Sequence, residues 1–410
     1  MKSAFFDKRR SISAARQGIS PRRRLLLASV LGFLSAVAPF CTDLFLPALP
    51  QMAQNLMTHA SQIQLSLTTC LAGIALGQAF IGPLSDMYGR RGVLLISLLI
   101  FVISSLGCAW APTVEILIAI RFIQGLSGAG AVVLSRAIAS DLYSGSELTR
   151  FFALLMLING VAPVLSPVAG GQLLKVMDWR GTFVVLGGLG LIGALAAFRF
   201  IEETLPREKR HASGLSSAVA IFRKLLLNGG FMRYTLGHSF IFMILFSYIA
   251  SSPFILQEMY GFTPTQFSYC FACISIGITG STQLAGRLSG RFGDQRLLDA
   301  GLVVCLLASL TVLGVTICRP ALALILLIPL FITVSCVGIV TTTSFSLAIR
   351  QQSGMAGSAA GLVGVLSFMA GGIAAPLVGL RGSQTAIPLG VMLVLASLAT
   401  IAVCGFRKQD

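Results

Sequence analysis

Charged side chains are scarce in this sequence. Only 11% of its 410 residues are Asp, Glu, Lys or Arg, and 55% are hydrophobic, whereas a soluble domain carries about 25% charged residues. This shortage excludes an ordinary globular domain. Because a bilayer core about 30 Å thick takes about 20 apolar residues per helix, the many long apolar runs predict a helical membrane protein with many spans.

The patterns of histidine and cysteine that are typical of metal or catalytic centres are also missing. The chain has 3 His and 9 Cys, and an odd number of cysteines in or beside apolar runs indicates packing residues rather than a disulfide framework. The segment CFAC, 270–273, has metal-like spacing, but no His or acid is close to it in sequence. We therefore expect no catalytic residue, no metal and no enzyme activity, with a membrane-embedded enzyme or receptor as a remote alternative.

Basic residues outnumber acidic ones, giving a net charge of +16, but their position argues against a nucleic-acid partner. Twelve runs are long enough to span a membrane, and we place them at residues 25–49, 63–84, 93–111, 115–139, 150–174, 181–199, 231–257, 266–286, 297–317, 321–347, 355–379 and 384–405. Most Lys and Arg then fall on the side that carries both termini. The exceptions on the other side are Lys175, Arg180, Arg319 and Arg381. Because basic loops stay in the cytoplasm, we predict cytoplasmic termini and a multi-pass protein of the bacterial inner (plasma) membrane.

The chain divides into two halves of six spans each. We assign a basic tail at 1–24, a first bundle at 25–199, a cytoplasmic linker with an amphipathic stretch at 200–230, a second bundle at 231–405 and a short tail at 406–410. The first tail faintly resembles an organelle transit peptide, but a cytoplasmic tail is the simpler interpretation.

The two halves also resemble each other. GVAPVLSPVAGG (160–171) aligns with GLVGVLSFMAGG (361–372), and GPLSDMYG (82–89) aligns with GRLSGRFG (286–293) at nearly the same offset. Paired bundles that rock about a central site are a transporter architecture.

Two charges lie deep inside predicted spans, away from the span ends, and a charge at the helix centre costs about 2.5–3.5 kcal/mol. Asp43 falls in the outer third of the first span, and Arg121 lies six residues into the fourth, so the two have similar depth. Apolar surroundings disfavour a charged carboxylate and a nearby cation favours it, so Asp43 can change protonation state. The alternatives are a solvated helix end for Asp43 and a structural donor to backbone carbonyls for Arg121.

The turn between the second and third spans, GPLSDMYGRRG (82–92), carries one acid and two arginines. From composition alone it could be a simple charged loop. It resembles the signature of the major facilitator superfamily, with matches at Gly82, Asp86, Gly89, Arg90 and Arg91.

Three further motifs carry the same resemblance. RFIQGLSGAGA (121–131) is similar to the fourth-helix motif of proton-coupled members, at Arg121, Gln124 and Gly125. GVAPVLSPVAGG is similar to the fifth-helix motif of drug/proton antiporters, although Ser166 replaces the usual glycine. Its glycines and prolines are Gly160, Pro163, Pro167, Gly170 and Gly171. TDLFLPALPQMA (42–53) resembles the end of the first helix in the Bcr/CflA (bicyclomycin/chloramphenicol resistance) branch.

The resemblance implies an all-α polytopic membrane protein, with twelve transmembrane helices in two pseudo-symmetric six-helix bundles. It implies alternating access, with Asp86 near the start of the eleventh helix as part of a latch for the outward-facing state, and Arg90 paired with Asp141. The motif glycines of the fifth helix would pack against the eighth.

The expected function is a proton-coupled exporter of amphipathic drugs or small metabolites, in which Asp43 exchanges its proton against substrate and Arg121 tunes it. A proton-coupled importer or facilitator of a small solute is the alternative. The partners would be the substrate, protons and membrane lipid, with no cofactor beyond the proton gradient and no nucleic acid. A monomer suffices, because one chain supplies both halves.

The substrate pocket is expected near the midplane between the halves. Aromatic side chains there could stack on a flat apolar drug, but each could equally be ordinary packing. The candidates are Phe40, Gln124, Phe240, Phe246, Tyr248 and Tyr269.

Overall fold

The fold is a bundle of long helices, and the residues that the structure describes contain no β-strand. The computed structural model describes residues 21–210, 214–318, 320–352, 355–380 and 385–405. Its twelve long helices are α1 Pro21–Asp43, α2 Ala60–Tyr88, α3 Arg90–Ala109, α4 Val114–Leu142, α5 Gly145–Leu173, α6 Trp179–Phe200, α7 Gly229–Phe254, α8 Pro264–Phe292, α9 Asp294–Cys318, α10 Ala323–Arg350, α11 Ala356–Val378 and α12 Ile387–Cys404. Each predicted span overlaps one of them, which confirms the all-α fold. Most of the tail 1–24, all of the tail 406–410, and Arg319 and Arg381 lie outside the described residues.

Eleven of these helices are long and apolar enough to cross a membrane, among the residues described. The other long helix is α8, which has a similar length but carries Ser, Thr and Gln along its course. A capping box starts α8, since the Thr263 hydroxyl accepts the N–H of Gln266 and the Gln266 side chain accepts the N–H of Thr263. A polar helix of this kind is expected inside a bundle rather than facing lipid.

The first long helix is shorter than its predicted span. The first span was expected to continue to residue 49, but α1 ends at Asp43. A buried 3-10 turn at Leu46–Ala48 and a short helix at Leu49–Asn55 follow, each with a proline in its first positions. Proline interrupts a helix but is tolerated in the first turn. The predicted amphipathic linker contains a helix at Gly214–Leu226, called the linker helix below.

The two halves, which resemble each other in sequence, also pack their helices in the same pattern. In the first half, α1 contacts α4, α5 and α6, while α2 pairs with α4 and α3 pairs with α6. In the second half, α7 contacts α10, α11 and α12, while α8 pairs with α10 and α9 pairs with α12. Gly89 and Gly293, which align in the repeat, both have positive φ (103° and 81°) at the α2–α3 and α8–α9 turns, a conformation that favours glycine. The fold is therefore two pseudo-symmetric six-helix bundles.

The halves meet along two pairs of helices, α2 with α11 and α5 with α8. We call the end where α1 begins and α12 ends the basic end, and the other the opposite end. Hydrogen bonds between the halves cluster toward the opposite end among the described residues, as in Gln64 Nε2 to Ala250 O (2.8 Å) and Gln257 Nε2 to Pro47 O (3.0 Å).

The basic end differs from the opposite end. A Cβ atom built on Gly286 or Gly290 of α8, or on Gly357 or Gly361 of α11, would meet no atom within 4 Å. The linker helix lies at this end and contacts both α2 and α11. The hydrogen bonds that join the halves directly therefore close the opposite end.

Candidate functional site

The guanidinium of Arg121 is fully buried inside the first half (0% exposed). Its Nη1 donates to the backbone carbonyl of Cys41 (3.0 Å) and to Gln124 Oε1 (2.6 Å). The ring centroids of Phe45 and Phe183 lie 4.3 and 5.7 Å from the guanidinium carbon, so both rings are within cation–π range of Arg121. Arg121 is thus a donor to a backbone carbonyl, as one interpretation of the sequence held, and also the centre of a polar cluster.

Gln124 and three cysteines complete this cluster. Gln124 Nε2 donates to Ser105 Oγ (2.7 Å), and the Sγ of Cys108 is 3.8 Å from Gln124 Oε1. Both ends of the Gln124 amide are therefore engaged within the protein. The Sγ atoms of Cys41 and Cys70 are 3.6 Å apart, and Arg121 Nη1 is 3.5 Å from the Sγ of Cys41.

The close approach of α2 and α4 depends on glycine. A Cβ atom at Gly125, one residue after Gln124, would fall on the backbone carbonyl of Cys70. A Cβ at Gly73 of α2 would likewise collide with the carbonyl of Phe122. The motif glycine of α4 therefore brings Cys70 next to the polar cluster.

Asp43 is the last residue of α1 and is only 5% exposed. It is at a helix end, but not a solvated one. Its carboxylate lies at the negative end of the helix dipole. No ion pair joins it to Arg121 among the described residues; Arg121 instead contacts Cys41, two residues earlier. Asp43 and Arg121 are therefore not paired directly, and the link between them is the contact of Arg121 with Cys41.

Asp43 also lies at the boundary between the halves. It is within electrostatic range of Tyr248 on α7 of the second half. Tyr248 is 1% exposed, and its hydroxyl and that of Ser252, one turn later, have no hydrogen-bond partner beyond each other among the described residues. A protonatable side chain of one half thus lies within electrostatic range of a buried hydroxyl of the other.

The α2–α3 turn at the basic end is an ion-pair network. Arg90 Nη1 is 2.6 Å from Asp86 Oδ1 and 2.5 Å from Ser85 Oγ, and its Nε is 3.2 Å from Asp141 at the end of α4. Asp86 is 44% exposed and is paired within its own turn. No hydrogen bond or ion pair joins Asp86 to α11 among the described residues, so the expected latch contact is not seen there.

The segment after α6 holds this turn in place. The Glu203 carboxylate accepts the backbone N–H groups of Arg90 (2.8 Å) and Arg91 (3.3 Å) at the start of α3. Such an anion caps the free N–H groups of a helix and is favoured by its dipole. Thr204 donates to Asp141 (2.9 Å). The sequence analysis missed Glu203, since only the fold brings residues 113 positions apart together.

The equivalent turn of the second half has an ion pair of reversed polarity. Asp294, which aligns with Arg90, is buried at the start of α9 and lies 3.0 Å from Arg350 at the end of α10. Its carboxylate also accepts hydrogen bonds from Ser289 and from Ser346, the latter at 2.7 Å. Each half therefore ties the start of its third helix to the end of its fourth.

The motif glycines of α5 face other helices closely. The nearest atoms to a Cβ at Gly160 belong to Thr279 of α8, whose hydroxyl donates to the Gly160 carbonyl (3.3 Å). A Cβ at Gly171 would strike Ser268 of α8, and one at Gly170 would strike the Leu44 carbonyl after α1. Pro163 and Pro167 lie inside α5 between these contacts.

The six substrate candidates are not brought together. Phe40 lines a crevice between α1, α3 and α6, because the helix turns its ring away from the second half. Gln124 is engaged with Arg121 and Ser105. Tyr248 is buried and stacks on Phe271 at 5.4 Å between centroids. The hydroxyl of Tyr269, which is 55% exposed, accepts from Gln172 Nε2.

Phe246 belongs to an aromatic cluster that the sequence analysis missed. Phe242, Phe246 and Phe368 lie with centroids 5.9–6.1 Å apart, and His238 stacks on Phe242 at 5.0 Å. The spacing 238, 242, 246 is one face of α7, and Phe368 comes from α11. Phe240, two residues from Phe242, lies on a different face. The i, i+4 spacing was the signal that could have found this cluster.

Comparison with known proteins agrees with this architecture. A family model described as Major Facilitator Superfamily matches residues 31–376. The chain is 39% identical over 391 residues to YdgK, an uncharacterized MFS-type transporter of Bacillus subtilis, covering 95% of this chain and 97% of the relative. It is 29% identical over 377 residues to a bicyclomycin resistance protein homolog of Haemophilus influenzae, covering 90% and 94%.

Among solved structures, a bacterial homolog of the human lysosomal transporter Spinster, in an inward-facing and occupied conformation, matches with a TM-score of 0.75. The two sequences are 17% identical, and the match covers 94% of this chain and 96% of that chain. At this identity the likeness concerns the fold.

Proposed function

The chain belongs to the Major Facilitator Superfamily, and from that premise we propose that it is a proton-coupled exporter of amphipathic drugs or small metabolites. Membership makes it a multi-pass membrane transporter of small molecules. Export of drugs is favoured by its relative named for bicyclomycin resistance and by the glycines and prolines of α5, which resemble the antiporter motif. The basic end is the cytoplasmic end in this proposal, and the membrane is the bacterial inner membrane.

The observation that carries proton coupling is the position of Asp43. The carboxyl group is buried at the closed end, at the C-terminus of α1, and next to the second half through Tyr248. When the halves rock open at this end, water replaces the second half around Asp43. An acid that alternates between a closed apolar site and water changes its preference for a proton. A proton taken from outside would then be released inside against export of substrate.

Arg121 and the charged turns supply the remaining parts of the proposal. Arg121 donates to the backbone carbonyl of Cys41 in α1, so a shift of α1 moves the acceptor of this buried cation. In the outward-facing state the basic end closes, and Asp86 would leave Arg90 for the start of α11, where a negative charge gains roughly 0.3–1 kcal/mol from the helix dipole. A latch of this modest strength can break in every transport cycle.

The test compares the wild type with Asp43→Asn in reconstituted vesicles. A susceptibility panel in a pump-deficient strain first identifies a drug that the wild type expels. We expect Asp43→Asn to abolish efflux driven by a pH gradient. Glu115→Gln is the matched control, since Glu115 is an exposed acid at the same end of the bundle, and it should transport like the wild type. Full gradient-driven efflux by Asp43→Asn would remove the proton role of this residue.

The direction of transport separates the proposal from an importer or facilitator. Inside-out vesicles expose the basic end to the medium. An exporter accumulates drug in them only when the interior is acidic, because the protons must leave as the drug enters. Accumulation in right-side-out vesicles with an acidic exterior would instead identify an importer.

A further inference from the structure

Arg121 is a buried cation without a carboxylate partner. The guanidinium is 0% exposed, no ion pair involves it among the described residues, and its Nε and Nη2 groups have no hydrogen-bond partner there. Arginine stays protonated in proteins. A buried charge is strongly unfavourable unless an opposite charge or a full set of hydrogen bonds compensates it. Two neutral acceptors and two aromatic rings leave this cation undercompensated.

The atoms that face this cation and can become anionic are sulfurs. Cys41 and Cys70 are both fully buried, with Sγ atoms 3.6 Å apart, which is within hydrogen-bond range for a thiol and a sulfur acceptor. The Sγ of Cys41 accepts from Arg121 Nη1 at 3.5 Å. A positively charged neighbour favours a thiolate over a thiol, and a thiol that donates to that thiolate stabilises it further.

The surroundings contain few other titratable groups. Asp43 on α1 and Cys108 on α3 are within electrostatic range of the pair, and Arg121 approaches from α4. From the second half, Tyr248 of α7 is within range of Asp43. Arg121 is the one cation within range of the pair in the part of the chain that the structure describes, and it contacts the sulfurs rather than Asp43.

We propose that Cys41 and Cys70 hold one proton between them, as a thiol–thiolate pair that is the counter-anion of Arg121 and a second proton-binding site of the transporter. The pair carries one negative charge when it shares one proton, and it becomes two neutral thiols when it gains another. No bond between heavy atoms forms or breaks. The role in transport rests on the proposed function, whereas the shared proton does not.

The shared proton can be measured without transport. Thiolates absorb in the near ultraviolet and thiols do not, so acidification of the purified protein should remove the absorbance of one thiolate per molecule. We expect this signal in the wild type and its loss in the double variant Cys41→Ser/Cys70→Ser. Cys305→Ser is the matched control, because Cys305 is equally buried, with its Sγ 3.6 Å from Ser397 Oγ, but belongs to the second half away from Arg121.

The outcomes are distinct even if the double variant does not fold. A wild-type protein without an acid-sensitive thiolate signal overturns the proposal by itself. A signal that persists in a folded double variant, or that disappears in Cys305→Ser, assigns the thiolate elsewhere and also overturns it.

The transport role has a separate readout. Removal of the negative pair takes away an anion within electrostatic range of Asp43, and a nearby like charge disfavours a charged carboxylate. We therefore expect the pH profile of efflux by the double variant to move to lower pH. An unchanged profile, with Asp43→Asn still inactive, would overturn the transport role of the pair and leave the proposed function standing. Absence of gradient-driven efflux in the wild type would overturn the proposed function, while the spectroscopic result would still decide the shared proton.

Discussion

The contact between α2 and α4 gives a sharp prediction about stability. At Gly125 a Cβ atom would fall on the carbonyl of Cys70, and its next neighbours are also backbone atoms of that residue. Backbone atoms cannot rotate away as a flexible side chain can. Gly125→Ala should therefore force α2 and α4 apart.

The magnitude follows from two opposing effects. Replacing glycine by alanine inside a helix gains about 1 kcal/mol of helix propensity. Overpacking in a close-packed interior costs about 1–3 kcal/mol and more where backbone must shift. At Gly125 the cost should exceed the gain, with a net loss of about 2 kcal/mol. For a chain longer than 250 residues, one kcal/mol corresponds to about 2 °C or less in Tm, so we expect a decrease of about 2–4 °C.

The assay is the loss of the monodisperse peak in size-exclusion chromatography after heating in detergent. Gly188→Ala is the matched control, because Gly188 lies inside α6 and a Cβ there would meet no atom within 4 Å. This control should keep or slightly raise the wild-type Tm. If Gly125→Ala and Gly188→Ala melt at the same temperature, the backbone contact between α2 and α4 does not constrain the fold as described.

Three further predictions concern the charged turns at the basic end. Asp294→Ala should lower the free energy of unfolding by about 1–3 kcal/mol, measured by thermal melting, because it removes the shared acceptor of Ser289 and Ser346. Arg350→Gln, which removes a 65% exposed partner, should cost less than about 1 kcal/mol. Glu203→Ala should cost about 1 kcal/mol by removing the anion that caps α3, and a cost indistinguishable from zero would contradict that role. Asp86→Ala should slow transport at least several-fold while leaving the Kd for substrate within about twofold, since the proposed latch does not touch the substrate; equal loss of binding and transport would refute the latch.

The twelve long helices were predictable because each apolar run is long enough to span a bilayer core, and no soluble fold needs so many. The buried position of Arg121 and the ion pair of Arg90 with Asp141 were also within reach of motif and topology. The depth of Arg121 and the position of this ion pair depend on where the helices begin and end. The apolar runs define those helix ends to within a few residues.

Other features depended on side-chain direction and on contacts across the fold. The first span was extended to residue 49, because the apolar run continues through Pro47 and Pro50 although the helix ends at Asp43. Phe40 was expected in the substrate pocket from its distance to Asp43 along the chain, but its ring lines a crevice within the first half, between α1, α3 and α6. Glu203 and the sulfur pair Cys41–Cys70 became visible only when packing placed residues from distant segments side by side.

The hydrogen bonds that close the opposite end have a consequence for the response to salt. Each joins neutral groups, as in Gln64 to the Ala250 carbonyl and Thr68 to the Gly372 carbonyl, and no ion pair bridges the halves there among the described residues. In the proposed transport cycle, the charged groups that change partners lie at the basic end, in the turn of Asp86 and Arg90. Added salt screens exposed charges and leaves neutral hydrogen bonds nearly unaffected. A higher salt concentration on the side of the membrane that faces the basic end should therefore shift the balance of the two conformations, whereas salt on the other side should have little effect.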